Sequence, residues 1–228
     1  MSGAGILNST FPSTPPSVPI AQIQKTAVNR ATGTSIATTF TTTPVENNLI
    51  VGVLVLDKTE SAYAIPAGFT EAVSEFGGGG ESIIFYKVAG AAESKTVTVT
   101  GVGGSKPNVL MTMEYEGIAA SSPLDVTASA IAATNTSAHS TGTTATTAQA
   151  KALAVAAVAF EKEAGTSTSW SNSFVEEGVG MDAVGGATEV SGGFATKILA
   201  ATGTQETTWT IGGTASKGSG CVATFKGS

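Results

Sequence analysis

Charge is scarce in this sequence, and positive charge is the scarcer kind. Only 12% of the residues are charged, about half of the roughly 25% that is typical of soluble proteins. The 11 Lys and Arg residues are spread over all 228 positions, and Arg30 is the sole arginine. Binding a phosphate backbone needs clustered cations, so we expect no nucleic-acid partner. The net charge of −6 is typical of a soluble subunit with apolar and hydrogen-bonded contacts.

Cysteine, histidine and long apolar runs are equally rare. Cys221 is the one cysteine, which excludes an intrachain disulfide, and we predict that it is buried in a strand. One Cys and one His cannot build a zinc site. No apolar run approaches the roughly 18 residues of a membrane span. The first cation is Lys25 and no long apolar stretch precedes it, so we predict neither a signal peptide nor a membrane partner.

The groups that could carry chemistry are isolated from one another. His139 lies in a Ser/Thr-rich stretch without a recognisable partner, and we predict that it is exposed to solvent. Glu176 and Glu177 are adjacent, so in a strand they face opposite ways and cannot act as a pair. The GVGGSK stretch at residues 101–106 lacks the full Walker spacing and is predicted to be a hairpin turn. We therefore predict a protein that is not an enzyme and needs no cofactor.

A calcium site is a weaker possibility. Asp57 and Glu60 could supply carboxylates from one loop, as could Asp125. Calcium cages usually draw on denser acidic runs than this one. We therefore predict no metal site.

The first 19 residues differ from the rest of the chain. They read MSGAGILNSTFPSTPPSVP and hold four of the eight prolines. Because proline fixes φ and removes an amide donor, an extended backbone is expected. This stretch also contains large apolar side chains, which a solvated linker does not need. We predict an extended N-terminal arm that binds a partner, with a frayed terminus as the alternative. The predicted partner-binding residues are Ile6, Leu7, Phe11, Pro12, Pro15 and Pro16.

Five sequence pieces occur twice, in the same order and with similar gaps. LIVGVLVL at Leu49–Leu56 matches LAVAAVAF at residues 153–160, and FTE at residues 69–71 matches FVE at 174–176. The other matches join residues 85–90 to 195–200, 95–101 to 207–213, and 109–117 to 221–227. Val97 and Val99 alternate with threonines, as do Trp209 and Ile211, and this period of two is typical of strands. The alanine-rich stretch 151–160 has helical propensity, but its counterpart is rich in Val, Ile and Leu, so we predict a strand.

This duplication predicts an all-β fold, a β-sandwich or jelly roll built from two similar halves. We place the extended arm at residues 1–19, the first half at 20–118 and the second half at 151–228. Residues 119–150 form a linker with an edge strand near Pro123–Ala128. The second part of the chain either packs with the first as one sandwich or forms a second sandwich in tandem.

Seven short motifs are spread over the chain: NLIV at residues 48–51, GFT at 68–70, FYKVA at 85–89, EYEG at 114–117, PLD at 123–125, ALAV at 152–155, and Trp170. In these motifs the chain resembles a β-sandwich family of phage and bacterial structural proteins. The resemblance covers roughly residues 20–227, and Phe69 stands where many members have tryptophan. Such motifs specify a fold better than an activity.

The resemblance implies a virion protein, such as a decoration (cement) subunit on the outside of a capsid. Synthesis in the host cytoplasm, a major capsid protein as partner and self-association as a homotrimer are the corresponding expectations. The alternative is a tail, fibre or host-attachment module that binds carbohydrate. Tyr63, Trp170 and Phe174 could stack a sugar, although we expect Trp170 and Phe174 to close the end of a sandwich.

Overall fold

The structure is a computed structural model that describes residues 18–57, 62–103, 107–161, 166–180, 190–213 and 215–228. These residues form sixteen strands, and no helix occurs among them. The strands are β1 (Ala21–Lys25), β2 (Asn29–Thr32), β3 (Ser35–Thr39), β4 (Leu49–Leu56), β5 (Thr70–Gly77), β6 (Gly80–Val88), β7 (Thr96–Thr100), β8 (Pro107–Glu116), β9 (Leu124–Thr136), β10 (Ala138–Ser140), β11 (Lys151–Glu161), β12 (Thr166–Trp170), β13 (Val175–Gly180), β14 (Val190–Ala200), β15 (Thr208–Gly212) and β16 (Ser216–Lys226).

The strands form two large and two small antiparallel sheets. The first inner sheet has the order β1-β8-β4-β6-β5, with β2 also paired to β8, and the first outer sheet is β3-β7. The second inner sheet has the order β9-β16-β11-β14-β13, and the second outer sheet is β10-β15-β12. The all-β prediction is confirmed, and the order of the large sheets is the same in both halves of the sequence.

The pairing register matches the repeat residue by residue. Val53 of β4 lies opposite Ile84 and Met111. In the second half, Ala157 of β11 lies opposite Phe194 and Cys221, the positions that the sequence repeat aligns with those three residues. Strands β5 and β13 even share an irregularity in register, between Glu71 and Val73 and between Glu176 and Gly178. The halves therefore repeat a three-dimensional unit, and the parity of their buried faces is preserved.

Each central strand is buried on both faces, which explains its nearly continuous apolar sequence. On β4, Leu49 and Val51 belong to the core between the two inner sheets, whereas Ile50 and Leu54 belong to a core beneath the first outer sheet. On β11, odd-numbered residues such as Leu153 enter the same central core, and even-numbered residues pack beneath the second outer sheet. The chain is thus two sandwiches whose inner sheets pack back to back.

Equivalent core positions in the two halves carry side chains of different size. In the second half a Cβ added to Gly193 would lie 2.7 Å from the Trp209 ring, and Trp209 is fully buried. The repeat aligns this pair with Ile83 and Val97, which are both buried in the first half. A large side chain beside a glycine has therefore replaced two medium side chains, as close packing of the interior requires.

Residues 124–140, which the sequence analysis placed in a linker, are mostly strand. The predicted edge strand near residue 123 is present as β9, but it continues to Thr136 along the edge of the second inner sheet. The next strand, β10, pairs with β15 and places His139 opposite Trp209. The prediction that His139 is exposed is wrong: its side chain is 1% exposed and stacks on Phe160, with ring centroids 5.3 Å apart. The strand around His139 was not predicted because the neighbouring residues are mostly Ser and Thr, whose side chains face outward or form hydrogen bonds to the backbone.

Candidate functional site

The predicted partner-binding residues Ile6, Leu7, Phe11, Pro12, Pro15 and Pro16 lie outside the described residues, whose first member is Val18. The place where the leading segment joins the body is described. The Val18 carbonyl accepts a hydrogen bond from Lys151 Nζ, which also donates to the backbone oxygen of Ser228 at 3.0 Å. Gly117, with φ of +74°, lies against the Pro19 carbonyl, where any Cβ would clash. The entry point is therefore anchored to the start of β11 and to the chain end.

After this anchor the chain enters β1, an edge strand of the first inner sheet. Strand β13 is an edge of the second inner sheet, and Lys25 Nζ of β1 lies 2.8 Å from Glu177 Oε2 of β13. Among the described residues neither edge pairs with a further strand, and the two edges therefore lie on the same side of the molecule. We call the surface formed by β1, its lead-in from Val18, β13 and the adjoining end of β14 the arm-side edge. Unpaired strand edges offer backbone groups to which another chain can add.

A groove of about 430 Å³ opens between the inner sheets at the arm-side edge. Gln22 and Tyr115 line it from the first sheet, and Val175, Thr196 and Ile198 line it from the second. Val175 and Ile198 are 65% and 55% exposed. They lie on the inner face of their sheet, in register with Thr196 and Leu153 respectively. This part of the inner face is therefore apolar, and the described residues leave it open to solvent.

A hydrogen-bond network forms the floor of the groove and links the two sheets. Gln22 Nε2 donates to the Tyr115 hydroxyl at 2.8 Å, and that hydroxyl lies 3.4 Å from Thr196 Oγ1. Thr196 Oγ1 donates to Glu177 Oε1 at 2.6 Å, and Lys25 binds the other oxygen of Glu177. Burial raises the pKa of Tyr115 to about 12. The phenol is therefore neutral at physiological pH, and the network fixes the groove walls.

Exposed apolar side chains concentrate on this side of the molecule. Seven large apolar residues are exposed among the described residues, and four of them lie on the arm-side edge. Those four are Val18, Ile23, Val175 and Ile198, and the other three are Val45, Phe76 and Ile131. The sequence analysis did not predict this surface, because its apolar residues come from strands far apart in the sequence.

The carboxylates of β13 do not form a catalytic pair. Glu176 Oε2 accepts a hydrogen bond from Trp170 Nε1 at 3.2 Å, on the side of the second outer sheet. Glu177 points to the opposite side, toward Lys25 and Thr196. The prediction that the two side chains face opposite ways is confirmed, and each carboxylate has a structural partner.

The three aromatic residues considered for sugar stacking do not form one platform. The Tyr63 hydroxyl donates to Glu71 Oε2 at 2.6 Å in the first half, whereas the other two residues lie in the second. Trp170 stacks on Trp209 with centroids 5.4 Å apart, and Phe174 is 5% exposed. Trp170 and Phe174 pack in the outer core, which agrees with the predicted role in closing the sandwich.

A buried carboxylate that the sequence analysis missed holds the loop before β4. Glu114 is fully buried and accepts hydrogen bonds from Gln24 Nε2 at 2.5 Å, Val45 N at 2.8 Å and Asn48 Nδ2 at 2.6 Å. These neutral donors satisfy a charge that would otherwise be costly to bury. Glu114 lies between Met113 and Tyr115 on an otherwise apolar strand, and this single acidic residue was the sequence signal for a buried carboxylate.

The remaining candidate groups are structural or lie apart. Cys221 is buried, as predicted, and burial raises its pKa to about 12. Asp125 Oδ2 accepts a hydrogen bond from Ala148 N at 2.8 Å, and Asp57 is buried, whereas Glu60 lies outside the described residues. Across the described ranges, no three His, Cys, Asp or Glu side chains group as metal ligands would. The described part of the chain also contains no helix long and apolar enough to span a membrane.

We compared the chain with protein-family models, with curated proteins and with solved structures, and no match was found in any of the three. The arm-side edge and the sequence motifs described above are therefore the features that bear on function.

Proposed function

We propose that this protein is a structural virion subunit, a capsid decoration or cement protein that binds the major capsid protein on the outside of the shell. The observation that carries the proposal is the arm-side edge. The leading segment with its predicted apolar contacts joins the body where two strand edges and an apolar groove lie together. A neighbouring protein could bury the groove and extend either sheet, which are the contacts by which apolar, weakly charged surfaces adhere.

The architecture supports an adhesive role. Three buried cores, one central and one in each sandwich, hold the inner sheets between the outer ones. A subunit with such a body presents its binding edge without large rearrangement, so less of the interaction energy is lost to ordering on binding. A homotrimer is part of the proposal, because decoration subunits of the family that the sequence resembles commonly occupy threefold positions.

A truncation tests the proposal. Protein lacking residues 1–17 keeps every described strand, so we expect it to fold and to lose at least tenfold in affinity for capsid shells. The double variant Val175→Asp, Ile198→Asp should weaken binding by a similar factor, because it places charge in the apolar groove. Phe76→Asp is the matched control: Phe76 is 52% exposed but lies on β5, at the opposite edge of the first inner sheet.

Co-sedimentation with shells that lack the protein gives the affinities. Unchanged binding of both the truncated protein and the groove variant would refute the proposed attachment. Equal loss in Phe76→Asp would show that the arm-side edge has no special role.

A further inference from the structure

The duplication provides an internal comparison for two equivalent lysines. Lys87 of β6 lies over the Phe69 ring, with Nζ 5.7 Å from the centroid, and Lys197 of β14 lies over Phe174 at 5.8 Å. The sequence repeat aligns Lys87 with Lys197. Each lysine lies on the outer face of its inner sheet, beside the loop that leads to the outer sheet. The two halves therefore place an ammonium group in the same position.

The first half neutralises its lysine. Glu93, in the loop after β6, has a carboxylate oxygen 2.8 Å from Lys87 Nζ. The same carboxylate accepts a hydrogen bond from Gly90 N at 3.1 Å. The lysine and the loop amide lower the pKa of Glu93 against the opposing effect of burial. The loop after β6 thus supplies Lys87 with a counter-charge, the Glu93 carboxylate.

In the described part of the second half, no carboxylate takes the place of Glu93 beside Lys197. Seven residues separate β6 from β7, and the corresponding segment from Ala201 to Thr207 also holds seven residues after a strand that is two residues longer. The acidic residue there, Glu206, lines the same pocket as Lys197 but forms no ion pair with it, and its carboxylate accepts a hydrogen bond from Thr143 Oγ1 at 2.6 Å. Within the described part of the chain Lys197 has no ion pair, although it is only partly exposed. A half-buried cation without a counter-charge favours an anion as ligand.

The space beside Lys197 is open. A pocket of about 430 Å³ has Lys197 on one wall, and Thr143, Thr204 and Glu206 contribute to the others. A second pocket, of about 480 Å³, runs along residues 197–205. Gln205 lines both pockets and is 6% exposed, with its backbone amide bonded to Thr144 Oγ1 at 2.9 Å. The walls are therefore rich in hydroxyl and amide groups and are partly fixed in position.

Backbone conformation also differs at this place. Asn172 and Ser173, both in the pocket wall, have φ of 55° and 61°. The repeat aligns Ser173 with Gly68, which has φ of 84°. The second half thus places two side chains in the left-handed region, where the first half uses glycine for one. Asn172 Nδ2 donates to the Glu206 carbonyl at 2.8 Å, which fixes this wall to the opposite loop.

We propose that the Lys197 pocket binds an acidic sugar, with the sugar carboxylate on Lys197. The hydroxyls of a uronic acid both donate and accept hydrogen bonds, so they suit a wall that offers the Glu206 carboxylate as acceptor and the hydroxyls of Ser173 and Thr204 as donors. An acidic peptide such as oligoglutamate has no hydroxyl groups beside its carboxylate, so it offers fewer donors to the Glu206 carboxylate than a sugar ring does. The site is argued independently of shell attachment, and failure of either proposal leaves the other testable.

Calorimetric titration of the full-length protein with trigalacturonate tests the site. We expect binding that weakens at least tenfold for the methyl ester of the same trisaccharide, because the charge-assisted bond to Lys197 is lost. Lys197→Met should weaken trigalacturonate binding by a similar factor. Lys87→Met is the matched control, because it removes the equivalent lysine beside Glu93, and its affinity should stay within about twofold of the original.

A second variant covers the case in which Lys197→Met fails to fold. Thr204→Glu places a carboxylate in the pocket, as Glu93 does in the first half, and should weaken binding at least tenfold in a protein with an unchanged circular dichroism spectrum. Undiminished affinity in both pocket variants, equal loss in Lys87→Met, or no binding of trigalacturonate would overturn the proposal. Triglutamate that binds as tightly as trigalacturonate would show that the pocket selects a peptide carboxylate instead.

Discussion

Acid should destabilise this protein through His139. Its side chain is 1% exposed, and among the described residues neither ring nitrogen has a hydrogen-bond partner. Burial lowers the pKa of His139 from 6.5 to about 4. As the pH falls below 6.5, His139 binds a proton in the unfolded chain but stays neutral in the folded chain. The free energy of unfolding therefore decreases between about pH 6.5 and pH 4 and levels off below that range.

The size of the effect follows from the shift in pKa. A difference between 6.5 and about 4, at 1.36 kcal/mol for each pKa unit, corresponds to roughly 3 kcal/mol of stability lost over this window. His139→Phe removes the titrating group and keeps a ring that can stack on Phe160. Its absolute stability depends on how well the larger ring fits, but its pH dependence should lack this contribution.

Urea unfolding of both proteins at several pH values between 4 and 7.5, followed by tryptophan fluorescence, measures the effect. Glu81, whose pKa burial and Glu71 raise to about 7, titrates in the same range with the opposite sign. Its raised pKa favours the folded state at low pH, but it is present in both proteins and cancels in the difference. We expect the stability of the original protein relative to His139→Phe to fall by about 3 kcal/mol from pH 7 to pH 4. A difference that stays constant within about 0.5 kcal/mol would refute the assignment.

Two further predictions concern the cores. Glu114→Ala should lower the free energy of unfolding by about 3 kcal/mol, because three partly buried donors lose their buried acceptor. In the same urea assay exposed Glu46→Ala is the control, and equal small losses in both variants would contradict this role. Trp209→Val alone should cost about 3–5 kcal/mol, and Gly193→Ile alone should be destabilising because its side chain meets the Trp209 ring. The two substitutions together recreate the residue pair of the first half. The double variant should therefore be at least about 1 kcal/mol more stable than the sum of the two single losses predicts. Additive losses would count against the equivalence of the halves.

The sequence was sufficient to predict the strands of the repeated pieces and the parity of their buried faces. Leu49–Leu56 and residues 153–160 are buried on both faces, so their apolar runs are unambiguous despite the alanine content of the second. Matching positions such as Tyr115 and Phe225 keep the same parity, and parity decides which face is buried. The local pattern therefore carried the necessary information.

The burial of a residue could not be predicted in the same way where its contacts come from distant parts of the sequence. His139 lies in a polar stretch, and only its pairing with Trp209 and its stacking on Phe160 place it in a core. The groove at the arm-side edge likewise depends on residues of both inner sheets that lie far apart in the sequence. The Lys197 pocket depends on the loop after β14, and the sequence repeat does not align this loop with the loop that holds Glu93.

The most direct test of the central claim is the copy number of this protein in purified particles, measured by quantitative mass spectrometry against the major capsid protein. A subunit that decorates the shell should be present in numbers comparable with the capsid protein itself and should be released without opening the shell. A handful of copies per particle, or copies that remain with detached tails, would contradict the account.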